Sequence, residues 1–347
     1  MKILLISPPW IRVPPKGYGG IEWVVALLAD ELAKRGHDVT LYATGDSETK
    51  AKLRYTFKEG QTSKLGTFSM TVYDSMQVSD ALKIADEFDL VHDHSGFLVV
   101  AFSHKIKTPV LHTLHGPFND DTKTFYTHFK DACYFNAISE YQRQCLPVLN
   151  YVGTIYNAID IANYPFSEKK EDYLIMVSRV SPDKANHLAI QVAKDLGERL
   201  ILVGKVDPKD RAYFEAKVKP HIDGKQIIFT GEVEENEKRR LLKLAKCFVF
   251  PIQWPEPFGL VMIEAMACGT PVVAIRNGSI PEIIENGKVG YIVDSVDEMA
   301  DAVKKASASI EPRACREYVI SRFSPEVMAD NYENAYRKIL GKDERVI

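Results

Sequence analysis

Short apolar runs that alternate with longer helix-forming stretches recur along the whole chain, and this alternation limits the possible folds more than any other feature. In the first half the runs are Ile3–Ser7, Val39–Ala43, Leu90–His92, Val110–Thr113, Tyr134–Ala137 and Thr154–Tyr156, separated by amphipathic or mixed stretches such as Ile21–Arg35 and Ser79–Glu87. A strand that returns to its sheet through a helix runs parallel to its predecessor, so the pattern predicts mostly parallel sheets covered by helices. It restarts at Tyr173–Val177 and continues through Leu200–Val203, Ile227–Thr230, Cys247–Phe250, Val272–Ile275 and Tyr291–Val293. The expected fold is α/β, with two Rossmann-like doubly wound parallel-sheet domains facing a central cleft, because ligands of such sheets bind beyond the carboxyl ends of the strands.

The chain has 347 residues, which fits two domains of ordinary size. Between them, Ala162–Asp172 is polar, contains Pro165 and lacks an apolar period, so it reads as a short linker. The expected domains are residues 1–162 and 163–324. A last helical pattern, with Ser324 as cap and Pro325 at its first position, covers 325–347 and is a candidate to pack back on the first domain.

Split after Ala162, the halves carry 16 basic and 18 acidic residues, then 28 and 29, so neither offers the basic surface that nucleic-acid binding requires. No run is long enough to span a bilayer, and Met1 leads directly into a strand-like segment, so a cytoplasmic location is expected. The first long helix carries Asp30, Glu31, Lys34 and Arg35 rather than a basic face, which gives no strong membrane signal. The five cysteines are far apart and never C-x-x-C, which suits reduced, buried thiols.

The most informative stretch runs from Pro255 to Pro271. Pro257 is expected to start a helix that Leu260–Ala267 continues and that Gly269 and Pro271 stop. Glu256 then lies in the preceding loop and Glu264 about two turns down the helix, where they can hold opposite ends of an elongated polyhydroxyl ligand. The N–H groups of Phe258, Gly259 and Leu260 are expected to face an anion or a sugar. A second constellation, Arg179 and Lys184 just past a strand, suits a diphosphate. A third is Pro15–Glu22, in which Gly19 and Gly20 let the backbone approach a ligand at the start of a helix. Nine residues separate this loop from its strand and a third glycine is missing, which argues against a dinucleotide-binding loop.

Histidines gather at His92, His94, His112 and His115, each just past a predicted strand. His92 and His94 are read on opposite faces of their strand with no third ligand, so no metal site is expected.

The E-x7-E stretch of Glu256 and Glu264 resembles the signature of family 4 retaining glycosyltransferases, which have the GT-B fold, and the resemblance extends over essentially the whole chain. It implies that Glu256 contacts hydroxyls of a donor sugar, that Glu264 holds the ribose, that Arg179 and Lys184 hold the diphosphate, and that the Gly19-Gly20 loop closes over donor phosphates and acceptor. The family's usual G-R-x-x-x-x-K-G has Ser178 and Ala185 here in place of its outer glycines, and Ala158 stands where N-G-V-D has its glycine. Thr113–Gly116 is similar to the active-site segment in which a histidine lies beside the reacting sugar, which points to His115, with His92 and His94 on the acceptor side and His112 structural. Ala137–Glu140 is a smaller match that adds Ser139 and Glu140 as acceptor-side candidates, and the backbone near Val233 is placed at the nucleobase.

The reaction implied is transfer of a hexose from a nucleotide diphosphate sugar to an acceptor hydroxyl, with retention at the anomeric carbon and without metal or cofactor. The wording Trp254–Glu264 is closest to users of UDP-glucose, with GDP-mannose and UDP-N-acetylglucosamine as other donors. An epimerase of the same fold and a non-catalytic nucleotide-sugar-binding module are the rival readings. The acceptor is expected to be read chiefly by Tyr55–Met76 and Pro117–Phe129 of the first domain.

Overall fold

The computed structural model describes residues 1–17 and 19–342. The described residues form two compact units, Met1–Ile159 with the final helix from Pro325, and Asp160–Ser324.

In the first unit seven strands, β1 (Lys2–Ile6), β2 (Asp38–Ala43), β3 (Lys52–Tyr55), β4 (Leu90–Asp93), β5 (Val110–Leu114), β6 (Tyr134–Ala137) and β7 (Tyr151–Thr154), form one sheet in the order β3-β2-β1-β4-β5-β6-β7. Every pairing is parallel. The order reverses between β1 and β4, so loops leaving those two strands diverge and open a crevice at their carboxyl ends. Ile3–Ile6 and Leu90–Val91 are fully buried because helices cover both faces of a parallel sheet.

In the second unit β8 (Leu174–Val177), β9 (Leu200–Val203), β10 (Ile227–Gly231), β11 (Cys247–Phe250), β12 (Val272–Ile275) and β13 (Gly290–Val293) are ordered β10-β9-β8-β11-β12-β13, again all parallel. Here the switch point lies between β8 and β11.

Three expectations need correction. The seventh strand is Tyr151–Thr154, where Thr154–Tyr156 was expected. β3 carries no apolar run, since an edge strand with three of four residues exposed needs none. Ala162–Asp172 is packed on the second unit: the Arg316 guanidinium donates to the carbonyls of Tyr164 at 2.5 Å and Ile161 at 3.1 Å, and Lys170 Nζ donates to Lys243 O, Cys268 O and Thr270 Oγ1.

The final helix, Pro325–Ile339, belongs to the first unit. Tyr332 and Tyr336, one turn apart and fully buried, present their hydroxyls to the sheet: Tyr336 to His92 Nδ1 at 2.7 Å, Tyr332 to Thr113 Oγ1 at 3.0 Å and Asn136 Nδ2 at 3.2 Å. Arg35 holds the same helix from outside, on Asp330 Oδ1 at 2.6 Å. Residues 343–347 of the expected helix lie outside the described residues.

Candidate active site

In the second unit the sequence-predicted residues gather on the two strands that flank the switch point. Arg179 and Lys184 follow β8, and Glu256 follows β11. Lys184 Nζ lies 2.6 Å from Glu256 Oε2, and Trp254 Nε1 donates to the same oxygen at 3.0 Å. The ammonium also sits 5.0 Å from the centre of the Trp254 ring, a cation–π contact that fixes it from a third side. Arg179 is held between Asp207 at 3.4 Å and Asp183 at 3.6 Å.

The β8 loop reaches this geometry without either outer glycine. Ala185 takes the left-handed conformation, φ 55° and ψ 44°, and starts the helix Asn186–Leu196. Ser178 accepts from Asn186 Nδ2 at 3.1 Å and donates to Arg179 O at 2.9 Å, so a side chain ties the turn. Ala158 is not among the described residues with positive φ.

The loop of Glu256 is shaped by its neighbour. Ser279 N donates to Glu256 O at 2.9 Å and Ser279 Oγ to Phe258 O at 3.0 Å. With those carbonyls engaged, the chain stays out of the helix until Gly259, φ 84°, reverses it. The helix is therefore Leu260–Ala267, and Pro257 lies in the loop rather than at its start. Glu264 is its fifth residue, just over one turn in, not two. Gly278 packs against this loop so closely that a Cβ there would stand 2.4 Å from both N and O of Glu256.

Glu264 is gripped by residues that sequence reasoning missed. Tyr164 Oη donates to Oε1 at 2.9 Å, and Lys238 Nζ lies 3.1 Å from Oε2. Burial opposes the charge of Lys238, but Glu264 and Glu235 outweigh it and raise its pKa. Burial and then the charge of Glu264 push the Tyr164 phenol upward. Only a cation spaced i, i+3 from Glu235 on the helix Glu235–Leu244 hinted at Lys238. Val233 is half-buried in the loop between β10 and that helix.

In the first unit, Gly19 caps the helix Gly20–Lys34, one residue earlier than expected; Tyr18 of the same motif lies outside the described residues. His115 follows β5, with Nε2 2.8 Å from His94 Nδ1, and burial, then the nearby His112, lowers its pKa to about 3. His92 and His94 share one face, ring centres 4.1 Å apart, since residues two apart on a strand point the same way. Among the described residues no group of three or more His, Cys, Asp or Glu could hold a metal ion.

His92 is corrected from an acceptor-side candidate to a packing residue: it is fully buried, with Nδ1 on Tyr336 and Nε2 on Thr113 Oγ1 at 2.8 Å. Ser139 is likewise a helix cap, accepting from Gln142 N at 3.0 Å and fully buried. Glu140, partly exposed, lies 3.8 Å from Arg143. His112 is buried between Asp93 Oδ2 at 2.6 Å and Tyr126 Oη at 3.1 Å. Sequence reasoning missed Gln142, whose amide donates to Leu114 O at 3.1 Å and Gly116 O at 2.8 Å and so clamps the backbone on both sides of His115.

Residues 18–163 match Glycosyltransferase Family 4, and residues 160–322 match Glycosyl transferases group 1, so the two families together span both units. This chain belongs to the family 4 glycosyltransferases. Its fold is GT-B, and the glycosyltransferase is 26% identical to AviGT4, a glycosyltransferase involved in avilamycin A biosynthesis, over 98% of each chain with a TM-score of 0.74. Anabaena HepE, solved in complex with UDP-glucose, shares the fold at 18% identity, with a TM-score of 0.73 over 97% of this chain and 100% of that one. Among curated relatives, the N-acetyl-alpha-D-glucosaminyl L-malate synthase of Bacillus anthracis is 25% identical over 94% of this glycosyltransferase and 96% of the relative. No helix among the described residues is long and apolar enough to cross a membrane.

Proposed function

We propose that this glycosyltransferase moves glucose from UDP-glucose to an acceptor hydroxyl, with retention at the anomeric carbon. The observation that carries the reading is the convergence of Arg179, Lys184 and Glu256 on the β8–β11 switch point, two cations for a diphosphate beside a carboxylate for sugar hydroxyls. Glu264 then takes the ribose hydroxyls, as the resemblance implies, with Tyr164 and Lys238 fixing its carboxylate. Phe258, Gly259 and Leu260 line the start of the helix beside the sugar, and Val233 lies by the base.

As the bond from the anomeric carbon to the diphosphate oxygen breaks, negative charge develops on the leaving group, and Arg179 and Lys184 stabilise it where they already stand. The acceptor oxygen attacks the same face of the sugar, its proton passes to the departing phosphate oxygen, and UDP leaves. His115 of the first unit keeps the role the resemblance implies, beside the reacting sugar. The reading needs no metal and no cofactor beyond the nucleotide sugar, and a cytoplasmic site of action belongs to it.

The choice of UDP-glucose rests on the wording of Trp254–Glu264. A UDP-N-acetylglucosamine donor is the second reading, favoured by the malate-synthase relative. Thermal unfolding with UDP, GDP, ADP, CDP and dTDP, with and without magnesium, tests the donor side. A nucleotide at 100 times its Kd stabilises by about 2.7 kcal/mol, a shift of a few degrees. A shift with UDP that is independent of metal, followed by turnover of UDP-glucose, is expected. A shift with GDP alone would replace the donor, acceptor-independent isomerisation would make it an epimerase, and binding without turnover a sensor.

A further inference from the structure

His115 is fastened at three points, and the fastening decides where its proton sits. Gln142, buried on the helix Glu140–Cys145, accepts from Ile138 N at 2.9 Å and donates to Leu114 O and Gly116 O, which locks the peptide planes on both sides of His115. The ring makes one hydrogen bond, between its Nε2 and His94 Nδ1 at 2.8 Å, with the two rings stacked 5.1 Å apart. Burial, and then neighbouring histidines, lowers the pKa of both rings, so near pH 7 each is neutral and carries a single proton. One ring therefore donates in this bond and the other accepts.

The surroundings of His94 choose between the two. Its Nε2 is buried and meets no partner among the described residues. The adjoining His92 ring, 4.1 Å away centre to centre, offers none, because Tyr336 and Thr113 take both its nitrogens. Were His115 the donor, the His94 proton would sit on that Nε2 as a stranded N–H. With His94 as the donor, the same atom is a lone pair. Stranded buried N–H groups are rarer in proteins than unmatched acceptors, so His94 carries its proton on Nδ1 and gives it to the bond. His115 Nε2 then accepts, which puts the His115 proton on Nδ1. Among the described residues that nitrogen has no hydrogen-bond partner, and it is open to solvent.

We propose that His94 is a positioning residue that holds His115 in the Nδ1–H form, so that His115 serves the transfer as a neutral hydrogen-bond donor to an oxygen of the bound sugar. The inference rests on the transferase reading above and on the place given there to His115. It also excludes a role. With Nε2 engaged and Nδ1 already protonated, the ring has no lone pair free to take the acceptor's proton. The acceptor O–H bond that breaks as the new bond to the anomeric carbon forms therefore gives its proton to the departing phosphate oxygen.

The test reads the histidine rings of the full chain, labelled with nitrogen-15, by long-range proton–nitrogen correlation spectra at pH 7, with His94→Asn and His115→Gln used for assignment. His94 and His115 are each expected to carry the proton on Nδ1. A parent spectrum with His115 protonated on Nε2 would overturn the proposal without recourse to any variant. Kinetics follow UDP release from the proposed donor, UDP-glucose. His94→Leu removes the ring donor and should lower kcat at least about tenfold, as loss of the right tautomer does in other enzymes, with KM for the donor within about twofold of the parent. His94→Asn returns an N–H to the place of Nδ1 and should restore most of that loss. Equal losses with Leu and Asn would mean that His94 only fills space, and would overturn the proposal as well. The expected spectrum in a protein that releases no nucleotide from UDP-glucose or the other donors would sink the transferase reading and leave the pairing of His94 with His115 standing.

Discussion

Lys184 and Glu256 form an ion pair of 2.6 Å across the second unit's switch point, with both side chains only 13% exposed. A pair this sheltered is costly to break from one side, because the remaining charge stays desolvated. Lys184→Met and Glu256→Gln should each destabilise by about 3 kcal/mol, and the double variant by clearly less than their sum. Urea unfolding of the four proteins measures the coupling; additive losses would mean the pair contributes nothing. On the role proposed for Lys184, stabilising the leaving charge, Lys184→Met should also lower kcat at least about 100-fold.

Ala185 is fully buried at φ 55°, a conformation that a β-branched side chain tolerates poorly. Ala185→Val should cost more than about 2 kcal/mol, while Ala185→Gly should leave the Tm unchanged or raise it. Equal tolerance of Val and Gly in thermal unfolding would show that the β8 loop follows another path.

Gly278 lies against the backbone of Glu256 without room for a Cβ. Gly278→Ala must therefore push the Glu256 loop aside, and a displacement near 1 Å is enough to cost about 100-fold in rate. The expected result is a large fall in kcat/KM for the proposed donor, UDP-glucose, with a smaller change in affinity for the proposed product UDP, since Arg179 stands on a different strand. Steady-state kinetics beside UDP titration separates the two, and equal losses would contradict the account.

Burial raises the Glu22 carboxyl to about 7 against an opposing hydrogen bond from its own backbone. In the unfolded chain this group ionises near 4.3, so between about pH 4.3 and 7 the folded state binds more protons and stability falls as pH rises. Glu22→Gln removes that penalty. The variant should match the parent at pH 4 and exceed it at pH 8, by an amount approaching about 3 kcal/mol. Denaturation at the two pH values checks the sign, and an equal difference at both would show that Glu22 ionises at the same pH in the folded and unfolded chain, so that burial does not raise it.

Much of the architecture was legible in the sequence because the central strands of a parallel sheet are apolar on both faces and stand out from their helices. β1, β5 and β6 were placed this way to within a residue. β3 was not, since at the sheet edge Lys52, Arg54 and Tyr55 face water and leave no apolar run. The helix of Glu264 was placed too early because Pro257 suits a first turn locally, whereas Ser279, more than twenty residues away, withholds the carbonyls that turn would need.

By itself the sequence determined the types and spacing of the reactive groups: two cations after one strand, two carboxylates eight residues apart, and a histidine after another strand. Tertiary structure alone decided which of them meet and which are used up in packing. Lys184 finds Glu256 because β8 and β11 are neighbours in the sheet though far apart in the chain. His92 and His94 look alike in sequence, yet the hydroxyl of Tyr336 consumes one, while the other keeps a nitrogen unpaired beside β1. Burial and hydrogen bonding depend on long-range contacts, so the same residue type becomes core in one place and a candidate ligand-binding group in the next.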